Sequence, residues 1–203
     1  MTGETKARIA PLAASEWDDD ARAAMRDAYS EAGLARFTGP DAPPVPNVLG
    51  ALLHHPALAG PFLTYNNVLL QKPTLEPRLR ELMILRVAAR AGCEYEWAQH
   101  VRMAARVGIT PEEVEAVRSP KHDAWTGIEA DALAATDQCI DGYCIDDETW
   151  ARLARVLDER QLIELCFVVG TYAALAMIFN SLGIELDADL KPVASPSHPN
   201  PEE

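Results

Sequence analysis

Two apolar helical runs that meet at Gly92 constrain this chain more than any other feature. The stretch 80–108 reads RELMILRVAARAGCEYEWAQHVRMAARVG, and each run carries ionisable groups on the face that its periodicity would bury. Glu81 has apolar neighbours one turn away in the first run, and Glu96 and His100 lie on the apolar arc of the second. Because a buried carboxylate or imidazole has to be paired or used, the pattern indicates an active site.

The charge and composition of the chain exclude several classes of protein. With 203 residues, of which 48% are hydrophobic, the chain can fold around a sizeable core. A net charge of -13 makes nucleic acid and anionic membrane surfaces poor partners. The sequence shows no apolar run of about 20 residues and no apolar N-terminal stretch like that of a signal peptide. We therefore predict no membrane span and a cytoplasmic location.

Helical periodicity runs through the chain, and no convincing strand pattern interrupts it. Ser15 is expected to cap the first helix, and the motif TPEE at 110–113 supplies a cap, a proline and an acidic third residue to another. We predict one all-α domain over 1–190 and a polar, proline-rich tail over 191–203. The expected helices cover about 16–31, 48–54, 57–70, 76–91, 93–107, 111–117, 129–141, 147–157 and 159–182.

A faint internal repeat relates two of these helices. The segment 79–88 (LRELMILRVA) resembles the segment 161–170 (QLIELCFVVG) when the two are shifted by one residue, which sets Glu81 opposite Glu164. The second copy lacks the Cys, Glu and His that follow the first. We therefore expect two related helical hairpins, only one of which is equipped for chemistry.

The second helix of the 80–108 hairpin groups three candidate catalytic residues on one face. Glu96 and His100 are four residues apart, so we expect the carboxylate to fix the tautomer of the imidazole and raise its basicity. Cys93 is expected at the helix N-terminus, where free N–H groups and the helix dipole favour a thiolate or a bound anion. Glu81 could approach His100 in an antiparallel hairpin, with a neighbouring arginine as its alternative partner.

Three further residues have both a functional and a structural interpretation. Trp97 either packs in the core or forms a wall of the substrate pocket. His54 and His55 either line that pocket or are polar residues at a helix end before a proline. We count all three as candidate substrate-binding residues.

Neither a metal site nor a disulfide is expected. Cys93, Glu96 and His100 could offer ligands to zinc, but one helix rarely supplies three ligands and the motif His-Glu-x-x-His is absent. The cysteines form no Cys-x-x-Cys pair, so thiols are the expected state. Cys139 and Cys166 are predicted to be small core residues.

The middle of the chain resembles the carboxymuconolactone decarboxylase family, which includes the alkylhydroperoxidase D-like proteins. The resemblance covers about residue 46 to residue 117, PNVLGALLHHPAL…RLRELMILRVAARAGCEYEWAQHVRMAARVGITPEEVEAV. The resemblance implies an all-α, alkylhydroperoxidase D-like helical bundle whose central helical hairpin carries the site. It also implies a homo-oligomer, a trimer or hexamer with sites near subunit contacts. The apolar hairpin supports an oligomer, because Met83 and Val87 lie on the side away from Glu81 and also need cover.

Two branches of that family differ at the position of Glu96. The peroxidase branch has a Glu, then Cys-x-x-Cys, three residues and a His. Glu81, Cys93 and His100 match that spacing, but Glu96 stands at the second cysteine position and cannot act as a resolving thiol. The decarboxylase branch has a Glu four residues before the His, as at Glu96 and His100. The chain resembles the decarboxylase branch while keeping one cysteine of the other.

The resemblance implies an enzyme without a cofactor that transfers a proton next to a carbonyl, decarboxylating a small carboxylated lactone or a related oxo acid. His100 would be the general acid, Glu96 would orient it, and Glu81 would complete the relay. The helix N-terminus at Cys93 would bind a substrate carboxylate or an oxyanion. Two alternatives stay open: a single-cysteine thiol peroxidase that uses Cys93, and a non-catalytic helical oligomer that binds a metabolite.

Overall fold

The computed structural model describes residues 7–39, 41–121 and 123–190, and within these ranges the chain forms nine α-helices and no strand. The predicted all-α fold class is therefore confirmed. The predicted tail, 191–203, lies outside the described residues. The helices are α1 (Asp19–Thr38), α2 (Asn47–Leu52), α3 (Pro56–Gln71), α4 (Pro77–Ala91), α5 (Glu94–Ala104), α6 (Pro111–Val117), α7 (Gly127–Gly142), α8 (Asp147–Leu153) and α9 (Glu159–Leu182).

Backbone contacts divide the chain into two compact units. The first unit comprises Met1–Lys72 and Ser181–Asp187, and the second comprises Pro73–Asn180 and Ala188–Glu203. The helices α1 to α3 belong to the first unit, and α4 to α8 with nearly all of α9 belong to the second. A single domain over 1–190 stays a prediction.

In the first unit, α1 packs against α3. Asp18 rather than Ser15 caps α1, because its Oδ1 accepts a hydrogen bond from the backbone N–H of Ala21 at 2.8 Å. Ser15 lies in a short 3-10 turn just before the helix. α1 also continues past its predicted end, with a break at Ser30, whose φ is 67°. The buried core residues of this unit include Trp17, Met25, Leu34, Leu49, Leu53 and Leu63.

In the second unit, α4 is the central helix and contacts both α5 and α7. Every residue from Glu81 to Ala88 is buried, so this helix is covered on all sides. Met83 and Val87 are thus covered within one chain, and they no longer give a reason to expect an oligomer. The connection to α5 is short because Gly92 adopts φ 57°, a left-handed conformation that costs glycine little.

A buried arginine joins α4 to its neighbours in the second unit. The guanidinium of Arg86, which is only 1% exposed, donates two hydrogen bonds of 2.7 Å to Asp137 on α7. It also donates to the backbone carbonyls of Val117 and Ser119 at the end of α6. Because a buried charge is tolerated only when it is paired, these bonds specify how α4 and α7 dock.

The cysteines are free thiols, as expected, but two of them occupy unexpected places. Cys139 is only partly buried and Cys166 is exposed, so the prediction that both are core residues is wrong. For Cys166, the physical reason is that α9 is apolar on most of its circumference. Its sequence pattern therefore could not show which face would meet the core.

Among the described residues, α9 is also the one helix long and apolar enough to span a membrane by length and composition. Its most apolar window has a mean hydropathy of 2.1, so the prediction that no apolar run approaches the length of a membrane span was wrong. This is weak evidence for a membrane span, because 56% of the window is buried inside the protein, as in the core helix of a soluble protein.

Candidate active site

The hairpin of α4 and α5 brings Glu81 and His100 into direct contact. Oε2 of Glu81 accepts a hydrogen bond from Nδ1 of His100 at 2.7 Å, and the two residues are only 2% and 6% exposed. Arg80 lies at the edge of this pair, with its Nη2 3.5 Å from Oε1 of Glu81. Burial alone would raise the pKa of Glu81, but the hydrogen bond and charge of His100, together with Arg80, lower it below its ordinary value.

This pair corrects the expected pairing of His100 with Glu96. Both residues are buried on α5, four positions apart, but within the described residues neither carboxyl oxygen of Glu96 has a hydrogen-bond partner. The Glu96 side chain is 2% exposed, and burial raises its pKa well above the ordinary value. Burial therefore favours the protonated, neutral form of Glu96, whereas the carboxylate that accepts the hydrogen bond of the imidazole is Glu81.

Cys93 occupies the N-cap position of α5, at the predicted end of the helix, but its environment does not favour a thiolate. The residue is fully buried, and burial raises the pKa of its thiol to about 12. Helix-terminal N–H groups lower that pKa by too little to offset the loss of solvation. The thiol is therefore protonated at neutral pH, contrary to the sequence-based expectation.

Tyr172 is a site residue that the sequence analysis missed. Its ring, which is 5% exposed, lies edge-on to the imidazole of His100, with centroids 5.0 Å apart and an angle of 88° between planes. Burial raises the pKa of its phenol, and the charges of Glu81 and Glu96 add to the effect, which places the phenol near both carboxyls. The only signal in the sequence was a phenol within the apolar run of α9.

Trp97 belongs to the core of the second unit. It is fully buried in a cluster that includes Leu82, Leu85 and Leu133, and the guanidinium of Arg118 lies 4.4 Å above its ring. The structure thus supports its packing role, and a role as a pocket wall stays a prediction.

His54 and His55 lie in the first unit, where both line a cavity of about 1020 Å³. Nε2 of His54 is 2.9 Å from the carbonyl oxygen of Ala10. His55 is the residue before α3, and its side chain does not cap that helix. That these histidines bind the same substrate as His100 stays a prediction.

Possible metal ligands do not gather in the part of the chain that the structure describes. There, no group of three or more His, Cys, Asp or Glu side chains could hold a metal ion. Within the hairpin, Glu81 and His100 are instead hydrogen-bonded to each other.

Comparisons with known proteins agree with the helical fold. The chain is similar to the crystal structure of an alkylhydroperoxidase AhpD core, an uncharacterized peroxidase-related protein from Ralstonia eutropha JMP134. The TM-score is 0.70 with 18% identity, over 90% of this chain and 93% of that one. A peroxidase-related protein from Silicibacter sp. TM1040 gives a TM-score of 0.67 with 16% identity, over 93% and 96% of the two chains.

A third solved structure is that of the debrominase Bmp8 in complex with 2,3,4-tribromopyrrole. It gives a TM-score of 0.66 with 18% identity, over 89% of this chain and 91% of that one. At these identities the similarity establishes an AhpD-like fold and leaves the activity open. No curated protein sequence matches the chain.

The sequence match to a family is narrower and includes both the Glu81–His100 pair and Glu96. The model of the carboxymuconolactone decarboxylase family matches residues 56–138, a segment that contains the whole α4–α5 hairpin. Residues 56–138 of this chain are therefore similar to the carboxymuconolactone decarboxylase family.

Proposed function

We propose that this protein is an enzyme that transfers a proton at a carbon next to a carbonyl, and that it decarboxylates a small carboxylated lactone or a related oxo acid. The buried hydrogen bond between Glu81 and His100 is the observation that carries the proposal. A carboxylate–imidazole pair shielded from water is suited to general acid–base catalysis, which typically contributes about 10²–10⁴-fold to a rate.

In this mechanism, Glu81 holds the tautomer of His100 in which Nδ1 carries the proton. Nε2 then faces the substrate as the catalytic nitrogen. When CO₂ leaves, its bonding electron pair passes into the adjacent carbonyl and forms an enolate. Before this step, Nε2 of His100 takes a proton from solvent, and Glu81 balances the charge of the resulting imidazolium. Nε2 then delivers that proton to the enolate carbon, and His100 returns to its neutral form.

Glu96 has a separate role in this proposal, because burial favours the neutral form of its carboxyl and that carboxyl has no protein partner in the described part of the chain. A neutral acid does not repel a substrate carboxylate, and its O–H can donate a hydrogen bond to the oxygen on which negative charge develops. A carboxyl without a partner costs stability by about 1–3 kcal/mol for each unsatisfied group. That cost supports a ligand-binding role for the Glu96 carboxyl, because buried polar groups without a partner concentrate at functional sites.

Tyr172 acts as a positioning residue in this proposal. Its edge-on contact restricts the plane of the His100 ring, as the hydrogen bond that His100 donates to Glu81 restricts the ring's rotation. Together the two contacts direct Nε2 toward one place.

Thiol peroxidase or dehalogenase chemistry is the alternative, since peroxidase-related proteins and a debrominase share the fold. It would use Cys93 as the nucleophile. Full burial and a pKa of about 12 argue against this alternative, because the reactive species is the thiolate. A non-catalytic role is a third possibility, and it would leave the Glu81–His100 pair without a use.

The test is turnover of a panel of small carboxylated lactones and oxo acids in D₂O. We expect CO₂ release together with one deuterium at the carbon that loses the carboxylate, and loss of both signals in His100→Ala. Cys93→Ser should keep both. If Cys93→Ser abolished turnover while His100→Ala retained it, the thiol alternative would replace this proposal.

We also propose that the protein is a homo-oligomer. The support comes from α9, where Ile163, Phe167 and Met177 are each more than half exposed although large and apolar. An apolar surface of this kind is typical of an interaction site. Sedimentation velocity is expected to show a trimer or hexamer, and a stable monomer at all concentrations would contradict it.

A further inference from the structure

Three of the four cysteines of this chain line one groove in the second unit, away from the Glu81–His100 pair in sequence. The groove has a volume of about 710 Å³, and its lining includes Cys139, Cys144 and Cys166. Among the described residues, no charged side chain lines it, and apolar or aromatic residues such as Trp150 and Met177 complete the wall. The groove therefore presents thiols in an otherwise unreactive surface.

We propose that this groove is a thiol–disulfide exchange site in which Cys144 reacts with a small disulfide and Cys139 then closes an intramolecular disulfide with it. The fully buried Cys93 takes no part. The proposal is independent of the function assigned to the Glu81–His100 pair.

The chain changes direction at the end of α7, between Cys139 and Cys144. Tyr143 adopts a left-handed conformation with φ 56°, and its backbone N–H donates to the carbonyl of Cys139 at 3.1 Å. This left-handed cap ends the helix, and Cys144, the next residue, lines the same groove as Cys139. Cys144 is exposed, and its thiol donates only to the adjacent carbonyl of Ile145, at 3.4 Å. It can therefore move more easily than Cys166, which lies within α9.

Cys139 is the central thiol of the three. Burial raises its pKa to about 11, and the charges of both Cys166 and Cys144 add to that effect, so both neighbours lie within electrostatic range. As the least exposed of the three, Cys139 is a poor first nucleophile but is well placed to resolve a mixed disulfide formed beside it. The exposed Cys144 is the residue that a dissolved disulfide can reach.

The exchange balances in two steps. The Cys144 thiolate attacks one sulfur of a low-molecular-weight disulfide, forms a mixed disulfide and releases one small thiolate. Cys139 loses its proton to solvent, attacks the Cys144 sulfur, forms the protein disulfide and releases the second small thiolate. The protein is oxidised by two electrons and the small disulfide is reduced to two thiols. Because Cys139 has a high pKa, it is a poor leaving group, so the closed disulfide should resist cleavage toward it.

Incubation of the folded, reduced protein with glutathione disulfide tests this inference, with intact mass and peptide mapping as readouts. We expect a product lighter by two hydrogens, with no glutathione attached and with Cys139 joined to Cys144. Cys139→Ser should instead accumulate a stable glutathione adduct on Cys144, and Cys139→Ala serves as a second variant if the serine disturbs folding.

Cys166→Ser is the matched control, because it removes a thiol of the same groove that the proposal does not use. It should close the disulfide like the parent protein, whereas Cys144→Ser should lose both the adduct and the closure. Closure that persists in Cys144→Ser, closure lost in Cys166→Ser, or a parent protein that stays glutathionylated would each overturn the proposal.

Discussion

The carboxylates of Glu81 and Glu164 occupy matching places in two similar helical sequences, and the structure gives them different partners. Glu81 on α4 is buried and bound by the imidazole of His100 at 2.7 Å. Glu164 on α9 is only partly buried, and it accepts hydrogen bonds from the backbone N–H of Thr74 at 2.6 Å and of Leu75 at 3.3 Å. One carboxylate is thus placed for chemistry, and the other ties the segment before α4 to α9.

A second contrast lies within the hairpin itself. Glu81 and Glu96 are equally buried, at 2% exposed, yet their pKa values move in opposite directions. Glu81 has a histidine and an arginine beside it, whereas Glu96 has only the desolvation of its surroundings. The comparison shows that burial alone does not decide the charge of a carboxyl; the partner decides it.

The largest effect is expected from His100→Ala, which removes the imidazole that is hydrogen-bonded to Glu81. We expect kcat for CO₂ release to fall by about 10²–10⁴-fold, the usual contribution of a general acid. Gln99→Ala, at the neighbouring position of α5, is the control and should leave kcat within a few-fold. Equal losses in both variants would attribute the effect to the helix rather than to the imidazole.

The comparison of the two carboxylates is tested by Glu81→Gln and Glu164→Gln. Glu81→Gln keeps the shape but loses the charge that orients and balances His100, so kcat should fall by about 10–100-fold. Glu164→Gln should keep kcat. Steady-state kinetics with the same substrate checks both, and a similar loss in Glu164→Gln would remove the distinction between the two carboxylates. The expectation of a second helical hairpin was wrong, because the matching segment lies within the single helix α9.

Glu96→Gln should become more stable than the parent protein as the pH rises. The pKa of Glu96 is raised by folding, so above its ordinary value of 4.5 the unfolded chain loses this proton while the folded chain keeps it. The parent protein therefore loses up to about 1.4 kcal/mol per pH unit through this group until the pH reaches the folded-state pKa. Urea unfolding from pH 4 to pH 8 should show that the free energy of unfolding of the variant rises relative to that of the parent. If the two free energies changed in parallel with pH, Glu96 would be ionised in the folded protein.

Tyr172→Phe and Tyr172→Leu separate the ring from the hydroxyl. If the edge-on contact positions His100, the Phe variant should keep kcat and the Leu variant should lose about tenfold. The pH profile of kcat should shift only in the Leu variant, because only there does the imidazole lose its neighbour. A loss in the Phe variant alone would assign the role to the phenol oxygen.

The smallest effect is expected on stability from Glu164→Gln, which weakens the bonds to Thr74 and Leu75. The amide nitrogen cannot accept a hydrogen bond, so we expect a loss of about 1 kcal/mol in the free energy of unfolding. Chemical denaturation would measure this loss. An unchanged midpoint would mean that hydrogen bonds to water replace those from Thr74 and Leu75 with no loss of stability.

Local chemistry made several elements predictable. The helix α6 has the bounds expected from its capping box, because Thr110 and Glu113 each satisfy the other's backbone N–H. The expected reversal at Gly92 also occurs, since a glycine adopts a left-handed conformation readily. The start of α1 was wrong because Ser15 and Asp18 are both good caps, and the choice between them depends on which turn packs.

The site was predictable as a set of residues and less so as a set of contacts. The spacing of Glu96 and His100 on one helix suggested a pair, but spacing shows only that two side chains share a face. The neighbours that His100 actually has come from other parts of the second unit: Glu81 from α4 and Tyr172 from α9. The place of Cys166 was missed for a similar reason, because an apolar helix such as α9 does not show in its sequence which side stays exposed.

The sequence by itself determined that this chain folds as helices around an apolar core, and that acids and a histidine lie on faces too apolar for solvent. Periodicity and capping act over a few residues, so they can be read along the chain. Only the tertiary structure decided which acid has a lowered pKa, which has a raised pKa and which thiols are exposed. Those properties depend on desolvation and on partners tens of residues away, and sequence spacing carries no information about either.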